Sequence, residues 1–381
     1  MFVNKPPMGW NSWNTFGENI NEALIMETAD VMAKEGYKDA GYEYVIIDDC
    51  WSLRQRDENG RLVADSEKFP HGMKYLADYI HSKGLKFGMY SCSGILTCAH
   101  YPGSFGHEYD DAATFAEWGV DYLKYDHCMF PTSADARNAY LTMSMALRSC
   151  GRDILFAACN WGVREPWTWM RSIGAHTYRS TGDIQDNFRS FTDIMFSQEE
   201  KFSMSAPSCF NDIDMLTVGM YGNGLVGLKD NICTDAEYKL QFSLWALYSA
   251  PLIMGGDIRN MNEYCKKLML NSELIEINQD GESRPPIIVN KYKQYDFNND
   301  YRVLFKLLDN NEYVLFLANY MDKPHMITVP FADLGIPYSS KMDLDLHDVY
   351  TGEKFGLARD FVDINVASHD CVMLRGRLIN A

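Results

Sequence analysis

Short apolar runs alternate with longer stretches of helical period over the first 280 residues or so, and this alternation limits the possible folds more than any other feature. Leu24, Thr28, Val31 and Met32 fall at i, i+4, i+7 and i+8, which marks one face of a helix. The runs of strand length are Met8–Trp10, Tyr44–Asp48, Lys86–Tyr90, Asp121–Tyr125, Ile154–Ala158, His176–Arg179, Phe202–Ala206 and Leu252–Gly255. Eight such strands alternating with helices predict an α/β fold, a (β/α)8 TIM barrel. A doubly wound sheet is the alternative, but no glycine-rich phosphate loop follows the first strand.

The pattern changes at residues 279–286, where the sequence QDGESRPP is rich in turn residues and contains two consecutive prolines. Strand-length runs follow, with Asn and Asp clusters between several of them: Arg302–Lys306, Glu312–Asn319, Met326–Val329 and Asp370–Leu374. Short strands joined by turns predict an antiparallel β-sandwich. We therefore expect a barrel over residues 1–283 and a C-terminal antiparallel β-domain over residues 284–381.

Charge and cysteine content exclude several classes of partner. The chain has 52 acidic and 35 basic residues and a net charge of −17, which argues against nucleic acid and against anionic membranes. It contains no apolar run of transmembrane length, and its first residues lack the pattern of a secretory signal. Ten cysteines without a CxxC pair indicate mostly reduced thiols, so we expect a cytoplasmic protein. The sequence leaves the oligomeric state open, a homo-oligomer included.

A barrel of this type carries its reactive side chains at the carboxyl ends of its strands. The predicted ends are rich in carboxylates and aromatic rings: Trp10–Trp13, Asp48–Trp51, Tyr90–Cys92, Lys124–Asp126, Asn160–Trp161 and Arg179–Asp183. A metal-dependent hydrolase needs several histidines at these positions, and only His127 lies at one of them. The sequence therefore predicts neither a metal site nor a cofactor.

Asp126 and Asp183 are the candidate catalytic pair. A glycosidase needs one carboxylate as nucleophile or base and a second that protonates the leaving oxygen. Lys124 precedes Asp126 by two residues on the same face of a strand, and we expect its ammonium group to lower the pKa of Asp126. A structural role stays open for both aspartates, as a helix cap for Asp126 and as an N-terminal helix carboxylate for Asp183.

The other candidates also have structural alternatives. Asp48 and Asp49 could form a surface turn, although adjacent carboxylates are also suited to binding vicinal sugar hydroxyls. Trp13 and Trp161 could be core residues or platforms for a sugar ring. Their common position at strand ends of one predicted barrel favours a binding site.

The sequence resembles the melibiases of glycoside hydrolase family 27. The resemblance rests on PPMGWNSWNTFG, DAGYEYVIIDDCW, FPHGMKYLADYIHSKGLKFGMYS, FAEWGVDYLKYDHC, YRSTGDIQDNF and NDIDML, in the family's order from about Pro6 to Gln279. These enzymes are α-galactosidases and relatives with a (β/α)8 barrel followed by an antiparallel β-domain. The likeness is weaker in the second domain, which carries no chemistry in the family.

The resemblance implies a role for each candidate residue. Asp126 would be the nucleophile and Asp183 the general acid/base of a retaining mechanism, with the two carboxyl groups about 5–5.5 Å apart. Asp48 and Asp49 would bind O4 and O6 of galactose. The remaining sugar contacts would come from Trp13, packed on the ring, Tyr90, beside the nucleophile, Lys124, at the ring hydroxyls, and Arg179, at O2.

The sequence departs from the family pattern at three places. Asn160 stands where α-galactosidases commonly carry Glu or Gln between Cys and Trp, in the loop that faces the 2-substituent together with Trp161. Tyr178 stands where Trp is common. Cys98 and Cys128 match a disulfide pair of secreted relatives, and whether they are oxidised here stays open.

These features predict an α-galactosidase acting on α-galactoside oligosaccharides or glycoconjugates. The alternatives within the family are β-L-arabinopyranosidase and α-N-acetylgalactosaminidase, and a more distant one is a non-catalytic sugar-binding barrel. Asp rather than the longer Glu at position 48 leaves room for the hydroxymethyl group, which favours galactose over arabinopyranose.

Overall fold

Eight parallel strands form a single sheet in the computed structural model, which describes residues 3–291 and 300–380. The strands are β1 (Met8–Asn11), β2 (Tyr44–Ile46), β3 (Lys86–Cys92), β4 (Tyr122–Asp126), β5 (Leu155–Cys159), β6 (Thr177–Arg179), β7 (Phe210–Asp212) and β8 (Leu252–Met254). Their order is β7-β6-β5-β4-β3-β2-β1-β8. Between β7 and β8, Leu216 donates its N–H to Ile253 O (2.8 Å) and accepts from Gly255 N (2.9 Å), which joins the two ends of the sheet. The (β/α)8 prediction is confirmed.

One predicted strand was misplaced. Phe202–Ala206 alternates apolar and polar residues as a strand does, but Lys201–Met204 forms a 3-10 turn and the strand begins at Phe210. Phe202 is buried, whereas Met204 is exposed. The alternation therefore reflects a turn with a single buried residue.

Helices connect the strands, as parallel pairing requires, except between β5 and β6, where the helical segment is the 3-10 turn Pro166–Thr168. They are α1 (Trp13–Phe16), α2 (Glu22–Lys34), α3 (Gly72–Ser82), α4 (Glu108–Trp118), α5 (Ala136–Ser149), α6 (Phe188–Gln198), α7 (Asp235–Leu247), α8 (Glu263–Met269) and α9 (Ser272–Asn278). Leu24, Thr28 and Met32 are buried on α2, as their spacing predicts, and the side chain of Asn21 caps its first turn. None of the helices in residues 3–291 and 300–380 has the length and apolar character needed to cross a membrane.

The second part of the chain is antiparallel. Six strands form one sheet in the order β14-β13-β16-β11-β10-β9, and β12 pairs with β15. The strands are β9 (Ile287–Ile288), β10 (Tyr301–Leu307), β11 (Tyr313–Asn319), β12 (His325–Pro330), β13 (Met342–Asp348), β14 (Lys354–Ala358), β15 (Phe361–Val366) and β16 (Asp370–Asn380). One apolar core includes Leu315 and Leu317 of the larger sheet and Ile327 and Ile364 of the smaller, as in a β-sandwich.

The chain divides into two compact units. The first runs to Ile232 and includes Ala250–Lys266, and the second comprises Cys233–Ser249 and the chain from Lys267 onward. Helix α7 therefore clusters with the β-sandwich strands, although it lies before β8 in sequence. The boundary predicted between residues 283 and 284 stays a prediction.

Gly94 allows the loop after β3 to pack against the segment after β4. Its N–H donates to Cys92 Sγ (3.3 Å), and Cys92 Sγ donates to Cys128 O (3.1 Å). A Cβ at position 94 would overlap the carbonyl oxygen of Cys128 and lie 2.8 Å from that of Met129. Only glycine fits there without moving one of the two segments.

We expect Gly94→Ala to lower the melting temperature, since overpacking costs about 1–3 kcal/mol, and to reduce kcat/KM because the segment that follows Asp126 must shift. Calorimetry and glycoside hydrolysis measure the two effects. Gly352→Ala is the control: its Cβ would meet nothing within 4 Å and its φ is +71°, so it should affect stability only. Wild-type kcat/KM in Gly94→Ala would contradict the assigned close approach.

Candidate active site

A cavity at the carboxyl ends of the barrel strands brings most of the predicted residues together. Its lining comprises Trp13, Asn14, Asp48, Asp49, Tyr90, Cys98, Lys124, Asp126, Arg179, Asp183, Asp214, Met215 and Val226. Eight of the ten predicted site residues are in this set, and Asn160 and Trp161 are not. Two cations therefore share the lining with five carboxylates.

Asp126 ends β4 and is 5% exposed. Its Oδ2 accepts from Tyr90 OH (3.0 Å) and its Oδ1 from His127 N (2.9 Å). Asp126 does not cap the helix that follows it, because the N-cap of α5 is Asp135. Burial raises the pKa of Asp126 to about 6, against the opposing effect of the Lys124 ammonium. The expected lowering by Lys124 exists, but desolvation outweighs it.

The Lys124 ammonium pairs with Asp48. Lys124 Nζ donates to Asp48 Oδ2 (2.7 Å), and Asn11 Nδ2 donates to the same oxygen (2.8 Å). Burial alone would lower the pKa of Lys124, but Asp48 raises it above its usual value. Asp48 is 2% exposed, so it does not belong to a surface turn.

Asp49 holds two loops with its two carboxylate oxygens. Oδ1 accepts from Cys50 N (2.7 Å) and Oδ2 from Ala99 N (3.0 Å). Burial raises its pKa, and these hydrogen bonds oppose the shift. Asp49 therefore ties the loop that carries Cys98 to the end of β2.

Arg179 binds two carboxylates at the end of β6. Its Nη2 donates to Asp183 Oδ1 (2.9 Å), to Asp214 Oδ2 (2.6 Å) and to Gly182 O (2.9 Å). The side chain of Asp183 is 71% exposed, whereas those of Arg179 and Asp214 are nearly fully buried. Asp183 is not an N-terminal carboxylate of α6, because that helix begins at Phe188, is capped by Asn187 and has no acidic residue in its first turn.

Asp214 is the residue that sequence reasoning missed, although it lies in the quoted motif NDIDML. Its Oδ2 also accepts from Ile184 N (2.7 Å), and its Oδ1 accepts from Met215 N (2.7 Å). Burial raises the pKa of Asp214 to about 6, opposed by Arg179. A buried arginine at a strand end requires a charged partner. The presence of Arg179 in the sequence could therefore have pointed to a further carboxylate such as Asp214.

Asn160 and Trp161 follow β5 and lie outside the set of residues that line the cavity. Asn160 is buried, and its Nδ2 donates to Val163 O (2.7 Å) within its own loop. The Trp161 ring centroid lies 6.3 Å from that of His127, the neighbour of Asp126. Their roles at the 2-position stay predictions.

Cys98 and Cys128 form a disulfide. The other eight cysteines are thiols outside this disulfide, and seven of these are buried. Cys98 lines the cavity, so the disulfide forms part of its wall.

Two sequence families match this chain. The family described as Alpha galactosidase A, Melibiase_2, matches residues 5–280, and the Alpha galactosidase C-terminal beta sandwich domain matches residues 298–375. The chain belongs to the melibiase family, glycoside hydrolase family 27. Among curated melibiases it is 41% identical over 369 residues to the Alpha-galactosidase of Cyamopsis tetragonoloba, covering 97% of this chain and 85% of that protein.

Solved structures of melibiases have the same fold. α-Galactosidase I from Mortierella vinacea superposes with a TM-score of 0.91 at 32% identity, covering 100% of this chain and 99% of that one. The α-galactosidase from Saccharomyces cerevisiae, solved with raffinose, superposes with a TM-score of 0.90 at 28% identity, with 98% of each chain covered. Both matches extend over the barrel and the β-domain.

Asp214→Asn should lower kcat/KM by at least about tenfold, because Arg179 loses a buried counter-charge and with it the orientation toward Asp183. Loss of one partner of a buried ion pair should also cost about 3–5 kcal/mol of stability. Steady-state kinetics and thermal unfolding test this. Asp343→Asn is the control, since it breaks an ion pair with Arg359 in the second unit and should leave kcat/KM unchanged. Unchanged kinetics in Asp214→Asn would refute the positioning role.

Proposed function

We propose that this melibiase is a retaining α-galactosidase that removes terminal α-D-galactosyl residues from oligosaccharides or glycoconjugates without a cofactor. The observation that carries the proposal is that Asp126 and Asp183 line one cavity with the acidic pair Asp48 and Asp49. The curated relative from Cyamopsis tetragonoloba is named an alpha-galactosidase, and the raffinose complex of the yeast relative supports an oligosaccharide substrate.

The first step is a displacement at C1 of the galactosyl residue. An Asp126 oxygen attacks C1 and forms an ester bond as the bond from C1 to the leaving oxygen breaks. The leaving oxygen takes the proton of Asp183. Tyr90 OH and His127 N hold the two Asp126 oxygens, so the carboxylate enters the reaction already oriented.

The second step releases the sugar. A water molecule loses a proton to Asp183 and attacks C1, and the bond between C1 and Asp126 breaks. Two inversions at C1 give net retention, so galactose leaves as the α-anomer. The exposed position of Asp183 suits this role, because both the leaving group and the water must reach it from solvent.

Asp48 and Asp49 are proposed to accept hydrogen bonds from O4 and O6, and Lys124 to donate to a ring hydroxyl. Asp48 Oδ2 already accepts from Lys124 and Asn11, which fixes the carboxylate before the sugar arrives. Trp13 would pack on the sugar ring, and Arg179 would contact O2. With a substrate that lacks the hydroxymethyl group, one carboxylate acceptor would have to be satisfied by water, and the apolar contact with that group would be lost.

We also propose the cytoplasm as the site of action, because most cysteines are scattered, buried thiols. The Cys98–Cys128 pair, exposed through Cys98, would be the one most subject to reduction there.

The enzyme should prefer p-nitrophenyl α-D-galactopyranoside over the β-L-arabinopyranoside by at least about tenfold in kcat/KM, since a lost polar contact costs about 1–3 kcal/mol. The 2-acetamido substrate should be poorer still.

NMR of early product should show α-galactose first, and Asp126→Asn should be folded and inactive. β-Galactose first would refute retention, and equal activity on either rival sugar would overturn the substrate assignment.

The acid limb of kcat/KM should have an apparent pKa of about 6. The nucleophile must be ionised, and burial raises the pKa of Asp126 to about 6, so activity should fall as pH drops through that value. Tyr90→Phe removes a hydrogen bond that favours the ionised form, and should move the limb to higher pH. An acid limb near the ordinary aspartate pKa of about 3.9 that does not move in Tyr90→Phe would contradict the buried, hydrogen-bonded environment assigned to Asp126.

A further inference from the structure

The disulfide between Cys98 and Cys128 lies against the candidate nucleophile. Cys98 Sγ is 3.9 Å from Asp126 Oδ2, and Cys128 Sγ is 3.8 Å from Tyr90 OH. Cys98 is exposed and lines the cavity, whereas Cys128 and Asp126 are buried. A small reductant that enters the cavity can therefore reach Cys98 Sγ, with Cys128 as the leaving thiolate.

The two sulfur atoms and a carboxylate oxygen of Asp126 all lie within 4.8 Å of one another. Bonds of about 2.3 Å to sulfur and about 2.0–2.2 Å to oxygen in a tetrahedral Zn²⁺ site require ligand atoms roughly 3.5–4 Å apart. Rotation of the Cys98 side chain can supply this separation once the S–S bond is broken. Two thiolates and one carboxylate favour a thiophilic divalent cation over Mg²⁺ or Ca²⁺.

The loop that carries Cys98 is held by contacts that do not depend on the disulfide. Ala99 N donates to Asp49 Oδ2 (3.0 Å), and Thr97 N donates to Tyr101 O (2.8 Å). Tyr101 N returns a hydrogen bond to Thr97 Oγ1 (3.0 Å), and the Arg54 guanidinium lies 4.3 Å from the Tyr101 ring centroid. Reduction should therefore leave Cys98 beside Asp126.

The cavity also has the charge that attracts a cation. Five aspartates line it against two basic residues, Lys124 and Arg179. Both cations are already paired with carboxylates, Lys124 with Asp48 and Arg179 with Asp183 and Asp214. A narrow cavity with excess negative charge concentrates counter-ions.

We propose that reduction of the Cys98–Cys128 disulfide creates an inhibitory site for Zn²⁺ or Cd²⁺, held by the two thiolates and Asp126. An external dithiol or phosphine supplies two electrons, the medium supplies two protons, and the S–S bond becomes two thiols. The cation then displaces the two protons and binds both sulfurs and the carboxylate. Metal binding stands on its own geometry, whereas inhibition rests on the proposed function of Asp126 as nucleophile.

Cadmium chloride is the probe, added to the full-length enzyme before and after reduction by a phosphine and removal of the reductant without air. Reduced enzyme should bind one Cd²⁺ by calorimetry and gain the ultraviolet absorbance of cadmium–thiolate bonds. At free Cd²⁺ about 100 times Kd, about 99% of the sites are filled, so hydrolysis of the α-galactoside should fall about a hundredfold. EDTA should restore it, and should not affect metal-free enzyme. Oxidised enzyme should show neither the absorbance nor the inhibition.

Cys98→Ser should abolish the absorbance change and the cadmium inhibition. Cys150→Ser is the matched control, because Cys150 is the free cysteine outside the buried set and lies at the end of α5; it should behave as wild type. The proposal is overturned if phosphine frees no thiols from folded enzyme, if reduced enzyme binds no Cd²⁺, or if Cys98→Ser binds it equally. Binding with the thiolate signature, in an enzyme inactive on α-galactosides even without metal, would support the site and refute the proposed function instead.

Discussion

The cost of burying charge governs the arrangement of the strand-end face. Five carboxylates and two cations line one cavity, and an unpaired ion there would cost several kcal/mol. Lys124 and Arg179 each lie within 3 Å of carboxylate oxygens. Asp126 has no such direct partner among these contacts and instead accepts from Tyr90 OH and His127 N. At Asp126 desolvation outweighs the charge of Lys124 and raises the pKa to about 6, so burial makes the carboxylate that is proposed to react harder to ionise.

The loops that follow the strands connect several of the residues around the cavity. Asp49, after the end of β2, accepts a hydrogen bond from Ala99 N in the loop after β3, and Cys98 of the same loop lines the cavity. Gly94 lets that loop approach the backbone after Asp126, and the Cys98–Cys128 disulfide joins the same two segments. The proposed sugar-binding carboxylate, the disulfide and the proposed nucleophile are therefore connected through one loop, so a chemical change at the disulfide takes place beside the proposed nucleophile.

Much of this was predictable because parallel barrels place the carboxyl ends of their strands at one face. Seven of the eight predicted strands overlap the observed ones, and eight predicted site residues line the cavity. The failures have local causes. Phe202–Ala206 has strand-like alternation with only one deeply buried apolar residue, Phe202, and period alone cannot distinguish this from a strand. Asn160 and Trp161 follow β5, but the Asn160 amide turns to Val163 O, a local contact that spacing does not encode.

The sequence by itself determined the barrel, the antiparallel second domain and the identity of the two candidate catalytic aspartates, because hydrophobic period and strand-end position follow from residue order. Only the tertiary structure decided which charges are neighbours. It pairs Lys124 with Asp48, 76 positions away, and Arg179 with Asp214, 35 positions away. Electrostatic energy depends on distance and burial rather than on sequence separation. The net rise in the pKa of Asp126 and the proximity of its carboxylate to two sulfur atoms therefore arise only in the folded chain.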